Sequence, residues 1–145
     1  MQTFLAFESF AMSAACLDAK RLGKQRVEAW QILQALRDPS YGWQSHPAVK
    51  MWRGYERALA AYGLAICDEW LSRGYKDTMR AKFLDCLPPS APTPAMPSWL
   101  GSPTFHASHR AALLYKDPKY YSRFGWTELP AVPDAKGSLP YVWPV

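Results

Sequence analysis

The sequence has few cysteines, few histidines and no long apolar run, and each shortage excludes a class of protein. No apolar stretch approaches the roughly 20 residues a membrane-spanning helix needs, so no membrane insertion is expected. The first cation is Lys20, which leaves the amino terminus without the positive region of a secretory leader. Three cysteines (Cys16, Cys67 and Cys86) form no CxxC pair and no Cys-His pair at zinc spacing. They read as reduced, mostly buried thiols of a cytoplasmic protein. No internal repeat or low-complexity tract occurs. What is plentiful is aromatic: 14% of the 145 residues, including seven Trp and eight Tyr. Lys and Arg exceed Asp and Glu by 17 to 12, a net charge of +5, which permits an anionic partner without requiring one. At 49% apolar and 20% charged, the composition is globular and the length suits one domain over 1–145.

The apolar spacing is helical throughout. Residues 1–12 alternate aromatics with almost no charge and must bury against something, and Ser13 then precedes a helix-prone run. Leu22, Ala29, Leu33 and Leu36 predict a helix from about Asp18 to Leu36, stopped by Asp38-Pro39. Tyr41-Gly42-Trp43 reads as a turn. Trp52, Tyr55, Leu59, Tyr62, Ile66 and Trp70 predict one long helix over Pro47–Arg73, closed by Gly74. Six prolines between residues 88 and 103 dictate an extended connection. Further helices are expected over His106–Tyr115 and from Asp117-Pro118 through Phe124. The tail 129–145 is irregular, with Tyr141 and Trp143 expected to pack back on the body. The chain thus reads as all-α with long proline-rich arms.

Two clusters could carry chemistry. Arg21, Lys24, Gln25 and Glu28 recur at spacings of three and four, so they share one helix face. A solvated face with an ordinary Lys24–Glu28 pair explains them as well as a functional cleft does. The second runs from Phe105-His106 through His109 and Arg110 to Lys116, Lys119, Tyr120, Tyr121 and Arg123. Cations interleaved with aromatics suit phosphates and exposed bases, while core packing is the competing use of the tyrosines. His46, at a helix start, is placed to meet a phosphate. His106, His109 and His46 could be ligands, but no Asp or Glu stands at ligand spacing nearby, so neither metal nor cofactor is expected.

The stretch Leu17-Asp18-Ala-Lys20-Arg21-Leu22-Gly-Lys24-Gln25-Arg26-Val27-Glu28-Ala29 resembles the opening helix of the pyrimidine-dimer DNA glycosylase family, the bacteriophage endonuclease V-like enzymes. The resemblance continues through Gly42-Trp-Gln-Ser-His46-Pro47, Tyr55 and Tyr62. It is firmest at Ile66-Cys-Asp-Glu69-Trp70-Leu-Ser-Arg73-Gly74-Tyr75, and weaker at His106-Ala-Ser-His109-Arg110 and Asp117-Pro118-Lys-Tyr120-Tyr121. The opening Met-Gln-Thr-Phe resembles a divergent bacterial branch. The resemblance implies a helical fold with the amino-terminal segment threaded between helices, acting on double-stranded DNA as a monomer without a cofactor. It implies a DNA N-glycosylase that removes a damaged or modified base, with AP-lyase activity through a Schiff base as the further expectation. The nucleophile would be the α-amine of Met1, kept because Gln2 is too bulky for the initiator to be removed, and the catalytic carboxylate would be Glu28. Lys20, Arg21, Lys24, Arg26, His46, His109, Arg110, Lys116, Lys119 and Tyr120 would hold the DNA. Three features depart from the family pattern: Met1 replaces an exposed Thr, Val27 replaces an Arg before the acid, and the Pro88–Pro103 arm has no counterpart. The alternative is a non-catalytic nucleic-acid-binding module on the same scaffold.

Overall fold

The computed structural model describes residues 1–145 and contains no strand. Its longest element is α2 (Ala19–Arg37), which begins where the Asp18 side chain accepts the Arg21 N–H. The Tyr121 hydroxyl also donates to Asp18, and this contact ties the start of α2 to the far end of the chain. One stripe of α2, including Leu22, Ala29, Ile32 and Leu33, is fully buried. It packs on α4 (Glu56–Ser72), whose buried stripe includes Leu59, Tyr62 and Ile66. Glycines permit the close approaches. At Gly23 a Cβ would meet the Trp70 ring at 2.9 Å, and at Gly63 it would overlap the ring of Phe83. Phe83 belongs to α5 (Arg80–Cys86), a helix started by the Asp77 carboxylate accepting the Arg80 N–H at 2.7 Å.

The all-α expectation holds, with corrections at element level. The long helix predicted over Pro47–Arg73 is two helices, α3 (Pro47–Lys50) and α4. Between them Gly54 adopts φ +87° and Tyr55 N–H turns back to the Trp52 carbonyl at 2.8 Å. Only glycine takes that backbone readily. The apolar period runs straight across the break because Trp52 is buried on either reading. Arg53-Gly54 repeats the Arg73-Gly74 signal, where Gly74 at φ +91° does close a helix. The helix expected over His106–Tyr115 is α6 (Pro103–Lys116), with Pro103 in its first turn. The last expected helix divides into α7 (Pro118–Tyr121) and a single 3-10 turn, Ser122–Phe124. Two helices escape the sequence reading, α1 (Phe10–Ala15) and α5, both too short to show a period. Ser13 lies inside α1 instead of preceding a helix, with its hydroxyl bonded to the backbone N–H and carbonyl of Phe7.

The extended segment before α1 is threaded between helices, with Gln2 through Ala6 buried. Having no ladder to join, its backbone is satisfied by side chains. Gln25 of α2 accepts the Phe4 N–H at 3.0 Å through Oε1 and donates to the Gln2 carbonyl at 2.8 Å through Nε2. The Tyr62 hydroxyl donates to the Phe4 carbonyl at 2.9 Å. His109 Nδ1 accepts the Leu5 N–H at 2.9 Å, and His106 Nδ1 donates to the Leu5 carbonyl at 2.8 Å. Arg110 donates to the Ala6 carbonyl at 2.6 Å. Cys16 and Cys67 are buried, and burial pushes both thiols up to about 12, as inert core thiols require. No helix is long and apolar enough to cross a membrane.

Gly63 supplies the sharpest stability test. Helix propensity alone favours Ala over Gly by about 1 kcal/mol, whereas forcing a methyl into the Phe83 ring costs about 1–3 kcal/mol. Gly63→Ala should therefore lower the stability measured by urea unfolding, and a stabilised variant would refute the packing described for α4 and α5.

Candidate active site

Met1 and Glu28 share one cavity of about 410 Å³, within the size range of small-molecule sites. Its floor is the start of the threaded segment, and one wall is the face of α2 on which Lys20, Arg21, Lys24, Gln25 and Glu28 all open into it. The spacing that puts these residues on one face is local to the helix. The Gln2 N–H donates to Glu28 Oε2 at 3.0 Å, which pins the backbone next to the terminal amine onto the carboxylate. The other oxygen, Oε1, lies 3.5 Å from the exposed Lys24 ammonium. Gln25 Nε2 reaches Glu28 Oε2 at 3.4 Å as well as the Gln2 carbonyl. Its Oε1 also lies 2.6 Å from the Tyr62 hydroxyl, whose one proton is shared between this oxygen and the Phe4 carbonyl. Gln2 turns its own Oε1 to the Thr3 N–H at 2.8 Å, leaving a buried Nε2 with no hydrogen-bond partner in the chain.

The opposite wall comes from the other end of the sequence: Lys116 of α6 and Gly137, Leu139 and Tyr141 of the tail. Partial burial, then repulsion from Arg21 and Lys24, lowers the Lys116 pKa, with Glu28 opposing. The tail is tied down where the Ala131 N–H meets the Ala111 carbonyl at 2.9 Å and the Val142 N–H meets Ser108 Oγ at 3.1 Å. His46 caps α3 through Nδ1, which accepts the Ala48 N–H at 3.0 Å. Burial, followed by repulsion from the Met1 ammonium, lowers its pKa, while Glu28 pulls the other way.

Other residues expected at the DNA lie elsewhere. Arg26 turns away from the cavity, pairs with Asp77 and rests 4.5 Å over the Trp70 ring. Arg110 is held by both oxygens of Glu128, at 2.9 and 3.1 Å, and by the Ala6 carbonyl. Tyr120 packs against the core beneath the Arg123 guanidinium and bonds the Leu17 carbonyl at 3.4 Å. Lys119 is exposed but outside the cavity. His109 has no exposed surface, so it meets no DNA and serves as the acceptor for Leu5. Gln2, Tyr62 and the tail wall were missed as site residues. Only Gln2 had a local signal, its place beside Met1.

A half-buried terminal amine and carboxylate under lysines, in an all-α fold, define a basic cleft suited to a polyanion. The family model for pyrimidine dimer DNA glycosylase matches residues 1–83, more than half of the chain. The protein therefore belongs to the pyrimidine dimer DNA glycosylase family, which are DNA repair enzymes acting on DNA. No curated protein and no solved structure matches the chain. The matched span contains the threaded segment, α2 and Glu28, while Lys116 and the tail wall lie beyond it.

His109 makes the anchor acid-sensitive. Burial and then the nearby His106 hold its pKa down at about 3, against about 6.5 in an unfolded chain. Between about pH 6.5 and 3 the unfolded state binds the extra proton, so stability falls as pH falls. Protonating Nδ1 also removes the acceptor for Leu5. Urea-unfolding free energies should drop by a few kcal/mol across that window. His109→Asn should give a shallower decline than wild type, although both chains also titrate carboxylates there. Equal slopes would remove His109 from this role.

Proposed function

We propose that the protein releases a damaged or modified base from double-stranded DNA by attack of the Met1 α-amine on C1′, with Glu28 as the catalytic carboxylate. The Gln2 N–H to Glu28 Oε2 hydrogen bond carries this reading, because it sets the amine and the acid over one cavity. An α-amine is intrinsically less basic than a lysine side chain, which makes it the better nucleophile near neutral pH. As the N–C1′ bond forms, the glycosidic bond breaks and its electron pair leaves with the base, which takes up a proton. Glu28 stabilises the positive charge that develops at C1′. Ring opening then yields a Schiff base. Removal of a C2′ proton by a carboxylate placed like Glu28 expels the 3′ phosphate, which is the lyase step. Lys20, Arg21, Lys24 and Lys116 surround the cavity and bind the flanking phosphates, with His46 and Lys119 meeting the DNA outside it. Reaching C1′ within a duplex requires the nucleotide to leave the stack.

Borohydride trapping on UV-irradiated, undamaged and abasic duplexes, read by intact mass and peptide mapping, tests this chemistry. The expected result is a covalent adduct on the Met1 peptide with the damaged duplex. Salt-sensitive binding with no adduct would make the chain a DNA-binding module instead. Glu28→Gln keeps an acceptor for the Gln2 N–H, so it should fold and bind DNA like wild type. Its base release should fall by at least about a hundredfold, and unchanged turnover would take Glu28 out of the mechanism. Adding one residue before Met1 should likewise cut trapping by about a hundredfold or more, because displacement of about 1 Å is enough to do so. Full activity of the extended chain would move the nucleophile to Lys20 or Lys24.

A further inference from the structure

We propose that Trp43 is a stacking side chain that lies against an exposed nucleobase face beside the reacting nucleotide. This assignment takes its location from the active site proposed above, and it concerns DNA binding instead of the amine chemistry. Trp43 is the only exposed tryptophan of the seven, at 57%. It is also the only non-glycine residue in the left-handed region, at φ +71°. A tryptophan there costs free energy that glycine would not, and little packing within the protein offsets it, since the indole edge meets His46 at 5.9 Å.

The loop that presents Trp43 is held firmly. The two N–H groups of Gln44 Nε2 are shared among the carbonyls of Ala35, Asp38 and Tyr41, at 2.7, 3.0 and 3.0 Å, and the His46 N–H closes back on the Trp43 carbonyl at 2.9 Å. From Trp43 a run of ring contacts leads inward. His46 meets Trp143 at 6.0 Å, Trp143 meets Tyr141 at 5.5 Å, and Tyr141 forms a wall of the cavity that holds Met1. Lys50 lies one helical turn beyond His46, and Arg53 reaches Gln44 Oε1 at 3.4 Å. Neither has a carboxylate within ion-pair distance, so both remain available to phosphates. An exposed ring in a loop followed closely by cations without carboxylate partners fits a nucleobase and its phosphates.

The test is equilibrium binding to an intact duplex and to one containing a tetrahydrofuran abasic analogue, with 2-aminopurine beside the gap. The analogue has no base to release and no C1′ hydroxyl, so amine chemistry cannot affect the result. Wild type should prefer the gapped duplex and change the 2-aminopurine fluorescence. Trp43→Ala should lose about tenfold in affinity for the gapped duplex, with little loss on the intact one, and Trp43→Phe should recover most of it. Trp43→Gly should melt no lower than wild type yet bind the gap as weakly as Trp43→Ala, which separates lost stacking from lost folding. Gap affinity within twofold of wild type in Trp43→Ala, or equal losses on both duplexes, would overturn the proposal. Failed borohydride trapping with the Trp43 effect intact would overturn the amine mechanism alone.

Discussion

The structure depends on an extended backbone that has no sheet to join. Buried peptide groups without partners are costly, so burying residues 2–6 requires polar side chains aimed inward from several helices. Gln25, Tyr62, His106, His109, Arg110 and Ser13 supply them. These groups come from four helices, so the segment holds the helices together as much as they hold it. The same hydrogen bonds deliver the amino terminus to Glu28. Stability and the geometry of the cavity therefore rest on one set of contacts, and the neutral state of His109 is part of that set.

The cations are sorted by chemistry. Arg26 and Arg110 are committed inside the protein, each to a carboxylate and an aromatic ring. A guanidinium suits that work because its planar fork matches a carboxylate and stacks on rings. The cavity keeps Lys20, Lys24 and Lys116, whose ammonium groups are compact and adaptable. Arg21 bridges the two uses, opening into the cavity while paired with Asp18 at 3.1 Å. A modest net charge thus yields a positive cleft because the acidic partners are spent elsewhere. Within the cavity the one carboxylate is Glu28.

Aromatic residues link these parts. Trp52, Tyr62, Phe83, Phe105 and Tyr121 fill the core. Trp52 also donates to Thr3 Oγ1 at 3.0 Å, so a core ring steadies the threaded segment. Tyr141 and Trp143 carry the packing outward to His46 and on to Trp43. The high aromatic content accordingly serves the core, the anchoring of the amino terminus and the rim of the cleft.

Helical spacing along the chain was enough to place α2 within one residue at each end and to set Arg21, Lys24, Gln25 and Glu28 on one face. Periodicity is a local property, and so is the left-handed freedom of Gly74. The family resemblance was legible for the same reason, being carried by short ordered stretches. The break at Gly54 was hidden because the apolar period continues through it. Tertiary structure alone decided which polar groups remained free. Arg26 finds Asp77 51 positions away, and Leu5 finds His109 104 positions away. Nothing local to Arg26, Arg110 or His109 marks them as anchors. Burial and ion pairing depend on what the folded chain brings alongside, and the tail that walls the cavity is set beside Glu28 only by folding.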